Sequence, residues 1–273
     1  MKKLTMWAKV MGKTCRYKNV SMNTLKFGLV MVLTAALLLG CGKSGGNADA
    51  DAGLITRDES AEDSHVDFEK LKEVNSDIFA WLYLPDTDID YPVLQSSDGD
   101  DSFYVSHNLE REEDPKGAIH IEAANMKDMC DFNEVLLGSS PEDGTMFAGL
   151  NKFLDRSYFE DHKYIYVYTE GNALIYYVFA AYSREDTKLL QQYDFSYASG
   201  CREFLDEIFS SKSMNRNVRA GWERAVEVEN FLITLSTQNS DDPTKQTVVI
   251  GCLVGDVRGE IDRYIDYSDP EDE

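Results

Sequence analysis

Apolar positions between residues 66 and 255 fall mostly into short alternating or β-branched runs, and few segments keep a helical period. Residues 80–85 and 89–95 read as two strands around an Asp-rich turn, and 117–122 and 135–138 predict two more. Residues 164–168 and 174–179 flank Glu170-Gly171-Asn172, a good hairpin signal. Near the end, 231–238 and 247–250 form a last pair of runs, joined by a polar loop long enough to rim a site. The first of these stops on Ser236, Thr237 and Gln238, which makes its mouth the place to look for chemistry. Helical spacing appears where Phe68, Leu71 and Val74 share a face, in two short pieces within 150–162, and over 199–212. In that last segment Cys201, Phe204, Leu205, Ile208 and Phe209 make an i, i+3, i+4, i+7, i+8 stripe, so Cys201 is expected to be a core thiol. Many short strands with helices at the start and in one long insertion predict a mainly β chain closed into a barrel.

The first 65 residues are of another kind. Residues 1–26 are basic, and 27–39 are an uncharged, apolar stretch that ends Leu38-Leu39-Gly40-Cys41. Thirteen residues are too few for a spanning helix, which needs about 20, but suit the apolar part of a signal peptide. Leu-Leu-Gly-Cys resembles a bacterial lipobox, so residues 1–40 are expected to be a lipoprotein signal, with Met22 an alternative start, and Cys41 the lipidated residue. Gly, Ser, Ala and Asp then dominate to about residue 64, making 41–65 a tether that would hold the body roughly 25–30 Å from the membrane. The folded domain is expected over 66–255 and an acidic, solvent-facing tail over 256–273.

Charge narrows the partners. Residues 1–40 hold seven of the 27 basic residues and none of the 49 acidic ones, which leaves a net charge of -29 beyond them. A body so acidic argues against nucleic acid. The five cysteines show neither zinc spacing nor a disulfide framework, and no cofactor is expected. Asp98-Gly99-Asp100-Asp101 would need Glu at the twelfth position of a calcium loop, where Leu109 stands; a solvated turn is the expectation, with no metal.

Several segments, in order, resemble the sortases, class B in particular. They are 81–85 with 89–95, 104–108, 117–119, Asp143-Gly144-Thr145-Met146-Phe147, 159–162 and Thr234-Leu235-Ser236-Thr237, with the helical insertion at 199–212; together they cover 66–253. The resemblance implies an eight-stranded barrel with N-terminal helices and a helical insertion before the last two strands. It also implies a surface transpeptidase that cuts a sorting signal and passes the acyl chain to a cell-wall amine. That reaction needs a Cys at the end of the seventh strand, a His, and an Arg on the eighth. The corresponding positions hold Gln238, Ser139 and Gln246. An amide can neither attack nor act as a base, and a serine hydroxyl is no acid near neutral pH. The expectation is therefore a lipid-anchored module on the outer face of a bacterial membrane, lacking transpeptidation. Its groove, drawn from Ser139, Ser140, Thr237, Gln238, Lys245 and Gln246, would bind a sorting-signal-like peptide, a cell-wall component or a surface protein.

The rival is an enzyme with relocated groups. Cys252 shares the strand face of Gln246 but lies some 20 Å along it, which favours core packing. Cys130 adjoins Asp131, an anion that disfavours a thiolate. Ser139, Ser140, Ser236 and Thr237 have no neighbouring His in sequence; His65 is in the tether, and His107 and His162 resemble structural family histidines. His120, facing opposite to Ile119 and Ile121, is the one His to test as a base.

Overall fold

The computed structural model describes residues 66–210, 212 and 216–257, together with two backbone segments, Arg16–Tyr17 and Arg263–Tyr264, that pair antiparallel. The signal, Cys15, Cys41, the tether and His65 lie outside the described residues, as does most of the tail. Helix α1 (Phe68–Val74) opens the body, capped where the Asp67 carboxylate accepts from the Lys70 amide. Phe68 is buried and Leu71 half-buried, but Val74 is exposed: the predicted face extends only one turn before the chain enters the sheet.

Eight barrel strands follow, β1 (Ile78–Tyr83), β2 (Asp90–Leu94), β3 (His120–Ile121), β4 (Asn133–Leu137), β5 (Tyr164–Thr169), β6 (Asn172–Glu185), β7 (Leu232–Gln238) and β8 (Lys245–Asp256), and a two-residue strand, Asn217–Val218, pairs on to β6. Their order is β8-β7-β4-β3-β2-β1-β5-β6, and β8 also pairs with β6, so the sheet closes. The β2–β3 and β4–β7 pairs are parallel and the others antiparallel. The mainly β barrel expected from the sequence is the observed fold.

The predicted 117–122 strand shrinks to two residues. Gly117 has φ +64, and a Cβ there would lie 2.3 Å from the Tyr104 carbonyl oxygen, so this segment packs against a loop before it joins the ladder. Conversely, β6 and β8 run well beyond their apolar runs because each is paired along most of its length.

Alternation divides the side chains between two cores. Ile233 and Leu235 of β7 and Val249 of β8 fill the barrel with Leu82, Leu136 and Val167. Leu232, Val248 and Ile250 face outward into a second core. That core is covered by α4 (Ala198–Ser210), which comes after two short helices in the chain, α2 (Arg156–Asp161) and α3 (Leu189–Gln192), and buries Cys201, Phe204, Leu205 and Ile208, as the sequence stripe predicted. Each such aliphatic or aromatic side chain contributes about 1.5–3 kcal/mol.

An ion pair between buried Arg184 and half-buried Glu207 fixes α4 to the sheet. Arg184 on β6 donates to Glu207 on α4 through Nε (2.8 Å) and Nη2 (3.2 Å), and the hydroxyls of Tyr182 and Tyr193 donate to the same carboxylate. Burial works against the charge on Glu207, but these donors, Arg184 first, hold its pKa below the ordinary value. Replacing Arg184 with Met is therefore expected to cost about 3 kcal/mol by stranding the acid. Chemical denaturation would measure it, and a loss below about 1 kcal/mol would show that the pair does not anchor the helix.

Candidate functional site

The mouth of β7 opens on a cleft of about 210 Å³ on the outside of the barrel. Its floor follows from strand register. His120 on β3 is opposite Leu137 on β4, and Leu137 is opposite Ser236 on β7, so the three side chains share the outer face. Gly138 continues the floor, where a Cβ would lie 2.4 Å from Ile119 Cδ1. Tyr104, Val105, Lys116 and Ala118 form one wall, and Asp186 and Gln246 the other.

Four of the six residues expected from the sequence, Ser139, Thr237, Gln238 and Gln246, line this cleft; Ser140 and Lys245 do not. The Ser140 hydroxyl instead accepts from Asn151 Nδ2 at 3.1 Å, because the chain turns after Gly138. Lys245 is half-buried beside a neighbouring cleft of about 1070 Å³, which is lined by Arg184, Gln192, Glu207 and Asn239, and pairs with Asp242 at 3.7 Å. Segment 185–187 borders both clefts. The smaller cleft is the candidate site, because the strand mouths and the groove residues converge on it.

Hydrogen bonds decide what these residues can do. Gln238 is exposed, sits opposite Gln246 in register and donates its amide to the Pro243 carbonyl at 3.2 Å. Gln246 is 6% exposed: its Oε1 accepts from the Ser236 hydroxyl at 2.5 Å, while Nε2 donates to the carbonyls of Glu185 (3.2 Å) and Thr187 (2.7 Å). The Ser139 hydroxyl donates to the Lys116 carbonyl at 2.6 Å. Thr237 shares the inward face of Leu235. The hydroxyls of Ser139 and Ser236 thus give their protons to protein acceptors rather than to a base.

Asn151 was invisible as a site residue, being one polar position in a helically patterned segment. It lies in the 3-10 helix Ala148–Leu154 and fastens the rim. Its Nδ2 reaches the Gln238 carbonyl at 3.4 Å, and its Oδ1 accepts from Thr247 Oγ1 (2.7 Å) and the Ser240 amide (3.3 Å).

The three described cysteines lie away from the cleft lining. Cys201 is in the α4 core, and Cys252 packs in the outer core, where burial pushes its thiol up to about 12. Cys130 is half-buried, with its sulfur 3.4 Å from the Asp128 carbonyl. His107 Nδ1 meets the Phe103 carbonyl (2.8 Å) and His162 Nδ1 the Tyr158 carbonyl (2.7 Å), both close to their own helical turns. His120 alone of the described histidines lines the cleft. The acidic turn is internally tied, with Asp98 on Arg111, Asp100 on Ser102 and Asp101 on the Ala123 amide. Among the described residues no cluster of three or more His, Cys, Asp or Glu could hold a metal.

Burial lowers the His120 pKa below its ordinary value of about 6.5. As pH falls, the unfolded chain takes up this proton first, so the stability that depends on neutral His120 is complete above about 6.5 and is lost below it. Between pH 7.5 and 5.5, urea denaturation should show a larger loss of stability for the parent than for His120→Phe. Parallel losses in the two proteins would remove His120 as the cause.

Comparison with known proteins places this geometry. No protein-family model matches the chain. Sortase B of Staphylococcus aureus (strain NCTC 8325 / PS 47) is 31% identical over 189 residues, covering 68% of this chain and 74% of the relative. Sortase B of Listeria monocytogenes serovar 1/2a is 30% identical over 184 residues, covering 66% and 70%. Among solved structures, Clostridium perfringens sortase B superposes with a TM-score of 0.61 at 28% identity, over 69% of this chain and 100% of that one. The S. aureus sortase B–substrate complex gives 0.59 at 31% identity, over 68% and 84%. With the closed eight-stranded barrel and its helical insertion already in view, these similarities establish that the chain belongs to the sortase B family.

Proposed function

We propose that this chain is a sortase B module that has exchanged transpeptidation for binding, with its cleft receiving an extended peptide at the outer surface of a bacterial membrane. In this reading Cys41 carries the lipid anchor, and Ser139, Gln238 and Gln246 stand where active sortases carry His, Cys and Arg. The observation that carries the proposal is the state of Gln246. An amide sewn to Ser236, Glu185 and Thr187 by three hydrogen bonds is a neutral, satisfied wall and supplies no cation to an oxyanion. Gln238 beside it can hydrogen-bond but cannot form a thioester. One solved relative is described as a sortase B–substrate complex and another as sortase B complexed with triglycine, which supports a peptide as the occupant of the corresponding groove.

One observation favours the rival reading, an enzyme with relocated groups: His120 and Ser139 line the same cleft. Ser139 nevertheless gives its proton to the Lys116 carbonyl, and Cys252 would have to ionise against a pKa of about 12. Neither is an activated nucleophile.

The full-length protein is accordingly expected to leave a sorting-signal peptide uncleaved in the presence of triglycine over hours, by mass spectrometry. Cleavage that disappears in Cys130→Ala, Cys252→Ala or Ser139→Ala would sink the proposal. The combined variant Ser139→His, Gln238→Cys, Gln246→Arg should acquire measurable thiol-dependent cleavage, since the groove that presents the peptide is retained. Failure of this well-folded variant to bind or cut the peptide would count against the groove itself.

A further inference from the structure

On the outer face of the cleft's strands, one buried ring nitrogen has no partner within the protein. His120 is 4% exposed, and its Nε2 is buried with no hydrogen-bond partner. The tautomer follows from the other nitrogen. Nδ1 lies 2.9 Å from the Ala118 carbonyl oxygen, which can only accept, so Nδ1 carries the hydrogen and Nε2 presents a lone pair. Register places this ring on the outer face, in one row with Leu137 and Ser236, beneath the cleft lining, so a ligand reaches Nε2 through a small local shift of the groups that cover it.

Most of the other polar groups of the lining are engaged, while Gln238 and Asp186 stand at the rim. Ser139 and Ser236 donate within the protein, Gln246 uses both ends of its amide, Lys116 Nζ is paired with Asp143, and the Tyr104 hydroxyl donates to Asp77 at 2.6 Å. Thr237 Oγ1 also lacks a partner, but strand alternation turns it into the barrel. A lone acceptor amid Ala118, Leu137 and Gly138, with Asp186 at the rim, disfavours an anion and calls for a neutral donor. An extended peptide crossing the floor offers one at every residue, its backbone N–H, while its side chains lie on the apolar surface.

We propose that His120 Nε2 is the acceptor through which this cleft takes a backbone amide N–H of an extended peptide, making His120 the residue that fixes the peptide's register. This rests on the peptide-binding reading above and adds the contact that orients the chain within it. His120 is a binding residue here, and no base chemistry is assigned to it.

The test is an NMR titration of the full-length protein with triglycine, following the groove amides around Gln238 and the imidazole nitrogens of His120. Saturation should move the groove amides and the Nε2 resonance together. Methylating one of the two peptide nitrogens, as in Gly-Sar-Gly or Gly-Gly-Sar, should weaken binding about tenfold for the amide that His120 receives. That penalty should vanish in His120→Phe and persist in part in His120→Gln, whose amide oxygen can still accept. If the groove amides move while Nε2 stays still, the His120 contact is wrong and peptide binding stands. If neither moves up to tens of millimolar triglycine, both readings fall.

Discussion

The fold depends on its last strand finding two partners at once. β8 runs antiparallel to β7 on one side and to β6 on the other, which turns an open sheet with two unpaired edges into a closed one. Closure forces each strand to have an inside and an outside. The inside of β7 and β8 is aliphatic and fills the barrel. The outside divides along their length: Leu232 and Ile250 lie under α4, while Ser236, Gln238 and Gln246 emerge beyond it at the open end. The cleft therefore lies where the barrel's outer face is left bare by the helical insertion.

Much of this was legible in the sequence because burial writes itself as periodicity. Residues 231–238 and the Cys201-to-Ile208 stripe announce a strand and a helix whose faces are set by apolar spacing alone, and both are found. What was not legible depends on partners distant in the chain. Gly117 and Ala118 look like strand, but their amides donate to the carbonyls of Asp114 and Tyr104, and residues 180–185, beyond the apolar run at 174–179, are held in the sheet by β8. Ser140 and Lys245 were expected in the groove from their neighbours in sequence, yet a turn and a neighbouring cleft claim them. His120 could be given a face by alternation, but not the wall from residues 104–118 or Asp186 across from it.

The chemistry of the cleft follows from how much of it, apart from His120 Nε2 and Thr237 Oγ1, is bonded within the protein. Catalytic sites tend to hold a charge or a nucleophile in unfavourable surroundings, at some cost in stability. Here the hydroxyls and amides form short internal bonds, and the lining cation Lys116 is neutralised by Asp143. Holding Gln246 by backbone carbonyls on segment 185–187 also makes the strand end a fixed part of the wall. The result is a shaped surface whose wall at Gln246 is neutral, which is what the proposed binding role asks of it.

Asn151 gives that surface a mechanical asymmetry. By gripping the Gln238 carbonyl, the Ser240 amide and the Thr247 hydroxyl, it ties the β7–β8 rim to a 3-10 helix whose Leu150 and Phe153 are buried in the barrel core. One jaw of the cleft is thus clamped to the barrel core. If the cleft takes a peptide as proposed, adaptation to guests of different bulk falls to the opposite jaw, around the exposed Val105, and variation in the guest should track changes in that segment more than changes at the strand ends.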